Sequence, residues 1–198
     1  DDELEVGADS CGIEGSSMYL HLGQCVTVEN LLYGLLLVSG NDAADALARY
    51  TAGSIEDFAA LMNEKAQNLG MTNSSFSNPH GLDAEDHYST ARDMAVLMDY
   101  CMSNEDFVRI ISASSRQVGE QCYYNHNKLR ENRLYARRGA LPCELLRAGR
   151  DAVHMRHAVR PRRLERPLQA LRLGFLAVFR PQSVERRLIA GGTGDVRD

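Results

Sequence analysis

Residues 27–41 run Thr-Val-Glu-Asn-Leu-Leu-Tyr-Gly-Leu-Leu-Leu-Val-Ser-Gly-Asn, and no other stretch limits the fold as tightly. Thr27 is a good N-cap because its hydroxyl can accept from a first-turn N–H, and Glu29 suits the positive end of a helix. Leu31, Leu32, Leu35, Leu36 and Val38 follow helical spacing, yet the segment is apolar nearly all round. A helix with no polar face must be covered on every side, so this one is expected to be buried. It stops at Ser39-Gly40-Asn41.

The neighbouring segments read as more helices. Asp42 is placed to cap a second, with Ala43, Ala46, Leu47 and Tyr50 on one face and Gly53 at its end. Ser54 with Asp57 resembles a capping box for a third, where Phe58, Leu61, Met62, Lys65 and Leu69 keep helical spacing up to Gly70. Residues 71–88 are polar and turn-rich, with Asn78-Pro79-His80-Gly81 at their centre. Ser89 or Thr90 caps a fourth helix carrying Ala91, Met94, Ala95, Leu97, Met98 and Cys101. Asn104 caps a short fifth with Phe107, Ile110 and Ile111. Little strand is expected through residue 128: the end of one at Leu4–Val6, and an extended piece at residues 16–20 that turns at Gly23.

Composition bears on the two halves differently. Residues 1–128 hold six basic side chains against twenty acidic ones, whereas residues 129–198 hold sixteen Arg, no Lys and seven acids. The overall charge of −5 hides this split and by itself names no partner. Five cysteines (Cys11, Cys25, Cys101, Cys122 and Cys143) include no CxxC pair and no Cys/His spacing suited to zinc. They are expected to be small buried hydrophobes, and no metal or other cofactor is expected. No apolar run is long enough to span a membrane. The start, Asp1-Asp2-Glu3-Leu4-Glu5-Val6, lacks the basic and apolar regions of a signal peptide and reads as a chain entered in mid-domain.

The best candidate for chemistry is Ser39-Gly40-Asn41. A Ser and an Asn separated by one Gly can point the same way from a tight turn. The hydroxyl can relay a proton, and the amide can hold a substrate carbonyl. On three residues alone, a plain turn between two helices is the more economical reading.

The surrounding blocks alter that balance. The run from Thr27 to Ala44 resembles the D-Ala-D-Ala carboxypeptidase family of serine peptidases, as does Glu14-Gly15-Ser16-Ser17-Met18-Tyr19-Leu20 before it. Met62-Asn63-Glu64-Lys65-Ala66, Leu69-Gly70-Met71, Asn78-Pro79-His80-Gly81-Leu82, His87–Ala95 and Asn125-His126-Asn127-Lys128-Leu129 continue the likeness in order, over roughly residues 3–129. The resemblance implies an α+β, β-lactamase/transpeptidase-like fold, represented here mainly by its helical subdomain. It also implies acyl-enzyme chemistry on three motifs: a Ser-x-x-Lys with the nucleophile and its base, a Ser-x-Asn, and a Lys-Thr-Gly that binds the substrate carboxylate. Ser39 would then help pass a proton to the leaving D-alanine, Asn41 would orient the substrate amide, and Ser39, Gly40 and Asn41 would together contact substrate.

Two of those motifs are absent. No Ser-x-x-Lys precedes residue 39, and residues 131–137 read Glu-Asn-Arg-Leu-Tyr-Ala-Arg where Lys-Thr-Gly is expected. The genetic code offers a reason. Codons allowed for Arg130–Arg138, read one base on, give Val-Lys-Thr-Gly-Tyr-Thr-Pro-Ala-Gly. Those for Pro161–Gly174 give Pro-Asp-Asp-Trp-Asn-Asp-His-Cys-Lys-Pro-Tyr-Asp-Leu, again family-like. Residues 1–129 are therefore expected to be a partial carboxypeptidase domain, and residues 130–198 a frameshifted, non-native and poorly ordered tail. Its arginines are not expected to bind nucleic acid.

The intact product is expected to remove the terminal D-alanine from peptidoglycan stem peptides and to be acylated by β-lactams. It is expected to work in the cell envelope, secreted by a signal peptide outside this chain, with membrane association only through a C-terminal anchor also outside it. The chain as given is expected to be inactive. A β-lactamase-like hydrolase and a non-catalytic helical binding module remain as alternatives. His80 is expected to hold its loop or lie at its surface. His21, His87 and His126 stand isolated, Asp83, Glu85 and Asp86 form a solvated loop, and Asn125 and Asn127 make structural hydrogen bonds.

Overall fold

The computed structural model of the protein describes residues 2–127. Helix α1, Val28–Val38, is the axis about which the rest packs. The Thr27 hydroxyl accepts from Asn30 N–H, as its sequence position predicts. Leu31, Tyr33, Leu35, Leu37 and Val38 are buried, while Leu32 and Leu36 are partly covered. Helix α2, Asn41–Ala52, follows after a two-residue turn. Helix α3, Ile55–Asn68, starts under Ser54, whose Oγ accepts from Asp57 N–H and donates to the Asp57 carboxylate. At its far end Gly70, at φ 74°, lets Met71 N–H bond Ala66 O. Helix α4, Ala91–Met102, is capped by Thr90, and helix α5, Glu105–Ser112, by Asn104.

Two small antiparallel sheets complete the described residues. Strand β1, Glu3–Glu5, pairs with β2, Cys25–Thr27, with Leu4 opposite Val26. Strand β3, Ser115–Val118, pairs with β4, Gln121–Tyr124, across the two-residue turn Gly119-Glu120. Gly119 stands at φ 58°, a backbone state that a tight hairpin demands and that glycine supplies without strain. Neither β2 nor the hairpin was expected, and residues 16–20 form a loop rather than a strand.

The core joins α1 to α2, α3, α4 and α5 through Leu31, Leu35, Leu47, Phe58, Met62, Leu97, Phe107 and Ile110. Three other expectations need correction. Asp42 does not cap α2; the N-cap position is Gly40, and Asp42 lies inside the first turn. Tyr50 leaves the buried face of α2 and reaches solvent, where its hydroxyl donates to Asp2. Among the described residues Cys101 alone is a buried cysteine. Cys25 is exposed, Cys11 and Cys122 are intermediate, and Cys143 lies outside the described residues. No helix among the described residues is long and apolar enough to cross a membrane.

Candidate active site

Ser39 ends α1 in the left-handed region, at φ 61° and ψ 40°. For a residue with a Cβ this costs about 1–2 kcal/mol. The turn is held by two bonds to one carbonyl: Ser39 N–H and Gly40 N–H both donate to Gly34 O. The Ser39 side chain is half-buried and its hydroxyl makes no hydrogen bond among the described residues. A strained backbone presenting an uncommitted hydroxyl is a usual feature of a working site.

Asn41 opens α2 and is 7% exposed. Its backbone N–H donates to Ser16 O at 2.8 Å and its Nδ2 donates to Glu14 O at 2.6 Å. Because the partner is a carbonyl, which can only accept, the amide orientation is fixed: one N–H of the NH2 group faces Glu14, and Oδ1 and the second N–H are left for other groups. Gly15 makes this approach possible, since a Cβ there would stand 2.9 Å from Asn41 Nδ2. Gly40 is equally confined, with a Cβ meeting Asp42 Oδ1 at 3.0 Å and Met18 Cγ at 3.1 Å.

Asp42 was expected only to cap, and its role is larger. It is 1% exposed and its carboxylate accepts from Ser17 Oγ (2.6 Å), Met18 N–H (2.9 Å), Leu20 N–H (3.0 Å) and its own neighbour Ala43 N–H (2.9 Å). A buried carboxylate is tolerable when its lone pairs are filled in this way. Asn41 and Asp42 thus clasp the whole loop at residues 14–20 against the Ser39 turn. The loop pays for part of this fit in strain, because Tyr19 sits at φ 60° with its ring exposed.

The last described strand closes the other side. Tyr123 Oη donates to Met18 O at 2.8 Å, and His126 N–H donates to Leu37 O at 2.9 Å, two residues before Ser39. Asn125 Nδ2 donates to Ile111 O and Ala113 O, the structural bonding expected of it. The chain therefore reaches residue 127 beside the end of α1.

Asp45, one turn beyond Asn41, is 5% exposed, and burial pushes its carboxyl up to about 6. Arg49 opposes that rise and Asp42 adds to it. His80 holds its loop, as expected: its Nδ1 accepts from Leu82 N–H at 3.1 Å, and its Nε2 lies 3.8 Å from Asp45 Oδ1. His87 is engaged likewise, with Nδ1 accepting from Ser77 N–H and the ring edge-on to Phe76. Asp83, Glu85 and Asp86 are exposed. No group of three potential metal ligands comes together among the described residues.

The sequence profile of one family, D-alanyl-D-alanine carboxypeptidase, matches residues 1–149. The chain belongs to the D-alanyl-D-alanine carboxypeptidase family. Among curated members, the carboxypeptidase DacF of Bacillus subtilis is 39% identical over 108 residues, covering 54% of this chain and 28% of the relative. DacC of Escherichia coli is 49% identical over 102 residues, covering 48% of this chain and 26% of the relative. The chain thus spans about a quarter of the length of these curated relatives. Among solved structures, penicillin binding protein 6B from Escherichia coli superposes with a TM-score of 0.63 at 35% identity, over 66% of this chain and 43% of that one. A Streptomyces K15 DD-transpeptidase mutant gives 0.62 at 29% identity, over 66% and 58%. The fold of this carboxypeptidase-family chain is accordingly the α+β, transpeptidase-like one, with its helical part described.

Proposed function

We propose that this chain carries one wall of the active site of a serine D-Ala-D-Ala carboxypeptidase that removes the terminal D-alanine from peptidoglycan stem peptides through an acyl-enzyme. The observation that carries the reading is the turn at residues 39–41. It offers a hydroxyl with no hydrogen-bond partner among the described residues and, two residues on, an amide whose orientation is fixed by Glu14 O. Ser39 would pass a proton toward the leaving D-alanine nitrogen. Asn41 would orient the substrate amide: its second Nδ2 hydrogen, the one not given to Glu14 O, would donate to a substrate carbonyl, and its Oδ1 would accept from a substrate N–H. Gly40 keeps the wall free of a side chain. The same pocket would accept β-lactams as covalent inhibitors, and the substrate places the work in the cell envelope.

The nucleophile is not among the 198 residues, which contain no Ser-x-x-Lys. Residues 1–129 are read as a partial domain and residues 130–198 as an out-of-frame tail. The test begins with the complete locus, sequenced across codon 129 and upstream of codon 1. Its product is then assayed for D-alanine release from a peptide ending in D-Ala-D-Ala and for labelling by a fluorescent penicillin. Ser39→Ala is expected to lower turnover by about 10²–10⁴-fold with folding retained. Asn41→Ala should weaken turnover of peptide substrates more than of an ester analogue that lacks the N–H. A locus without an upstream Ser-x-x-Lys, or full activity in Ser39→Ala, would overturn the assignment.

A further inference from the structure

Two carbonyls fix Asn41: Glu14 O accepts from its Nδ2, and Ser16 O accepts from its backbone N–H. They lie on either side of Gly15, which stands at φ 95°. A residue without a Cβ turns easily there, so the segment 14–16 supplies little stiffness of its own. The alignment of both carbonyls therefore depends on what anchors the next residue. Ser17 Oγ donates to Asp42 Oδ2 at 2.6 Å and accepts from Tyr19 N–H at 2.8 Å.

Chemistry settles the direction of both bonds. A carboxylate only accepts and a backbone N–H only donates, so the one Ser17 proton is committed to Asp42 and a lone pair to Tyr19. Asp42 takes its other bonds from the N–H groups of Met18, Leu20 and Ala43, which any non-proline residue would offer. Among the described residues Ser17 is the side chain that binds this carboxylate. The same hydroxyl closes a short turn over Tyr19, whose φ of 60° is unfavourable for a residue with a Cβ. Without it, Asp42 loses a donor where it is 1% exposed, and Tyr19 N–H loses the acceptor that helps offset the strain. The loop would then relax at a point one residue from Ser16 O and three from Glu14 O.

We propose that Ser17 is a positioning residue: its hydroxyl, through Asp42 and the loop backbone, aligns the Glu14 and Ser16 carbonyls that hold the Asn41 amide for substrate. It acts through Asn41 rather than on the substrate. Its part in turnover rests on the function proposed above for Ser39 and Asn41, whereas its hold on Asn41 does not.

That hold is tested on the full 198-residue chain, without need of activity. The two Nδ2 protons of Asn41 should be well separated in the NMR spectrum, because one is bonded to Glu14 O and the other is not. In Ser17→Ala the pair should draw together toward the spacing of a free side-chain amide, while hydrogen exchange at the buried Leu35 amide is unchanged. Ser17→Thr, which keeps the hydroxyl, should retain the separation. Should Ser17→Ala unfold the chain, Ser17→Cys, similar in size but a weak donor, gives the same reading. An unmoved pair in a folded Ala or Cys variant overturns the proposal. Turnover is tested on the complete locus product. There Ser17→Ala should lower D-alanine release from the peptide by about ten- to a hundredfold, more than for the ester analogue. In an Asn41→Ala background it should cause no further loss, because the group it positions is already gone. Independent, multiplicative losses overturn the positioning role. A wild-type product that neither releases D-alanine nor takes up penicillin overturns the reading of the site instead, and the Asn41 resonances still decide whether Ser17 holds that side chain.

Discussion

Asp42 shows what one buried carboxylate can organise. Its oxygens take four hydrogen bonds, three of them from Ser17, Met18 and Leu20 in a loop more than twenty residues earlier. Asp42→Asn would exchange one acceptor oxygen for an NH2 group aimed at N–H and O–H donors. The expected cost is about 2–3 kcal/mol, read as a lower midpoint in urea unfolding, with the loop at residues 14–20 becoming protease-sensitive before the core. This residue also marks the limit of local reading. An Asp just after a turn looks like a cap from sequence. Donors supplied from residues 17–20 leave no trace in the neighbourhood of position 42. The amide of Asn41 is similar. Its candidacy was legible through the blocks around Ser39-Gly40-Asn41, but its bond to Glu14 O, and so how its amide is turned, was not.

At the scale of elements, the helices announced themselves, and of the strands only β1 did, within a residue of its expected place at Leu4–Val6. Thr27, Ser54, Thr90 and Asn104 each cap the helix expected of them, because a cap is satisfied by N–H groups two or three residues away. The β3–β4 hairpin is Ser-Arg-Gln-Val turning into Gln-Cys-Tyr-Tyr, largely polar and without apolar alternation. Only Tyr123 of the two strands is buried, so the pairing is paid back by α1 rather than by the strands themselves. The tie is ionic as well. Glu29 on α1 takes Arg109 of α5 at 2.8 Å on one oxygen and Arg116 of β3 at 3.0 Å on the other, and Arg116 stacks over the Tyr33 ring at 4.5 Å. Glu29→Gln is expected to cost about 1 kcal/mol, with the deficit shrinking in high salt, because the pairs are partly exposed and screened. Thermal melts of both forms at low and high salt would check this. A deficit independent of salt would mean that Glu29 acts through packing alone.

For the whole molecule, one consequence of burial is a tilt of stability with pH. Asp45 titrates near 6 in the fold against 3.8 when unfolded, so the folded state holds its proton more tightly. That contribution is complete below about pH 3.8 and is lost as pH rises through about 6. Asp45→Asn, uncharged at every pH, should therefore melt higher than the wild-type chain above pH 6, with the difference vanishing toward pH 4. A melt series across that range reads it directly. The long-range architecture was legible where the pattern was unusual: an all-apolar helix could only be central, and α1 is. One further consequence concerns Gly34, in the middle of that helix. A Cβ there would fall 1.8 Å from the Met18 sulfur, so the thioether of Met18 lies directly across the bare backbone of α1. Met18 is also only 2% exposed, so an oxygen atom added to its sulfur would have to be fitted among packed neighbours. Conversion of Met18 to its bulkier, polar sulfoxide is therefore expected to strain the packing of the loop at residues 14–20 against α1, read as a lower thermal midpoint after mild oxidation.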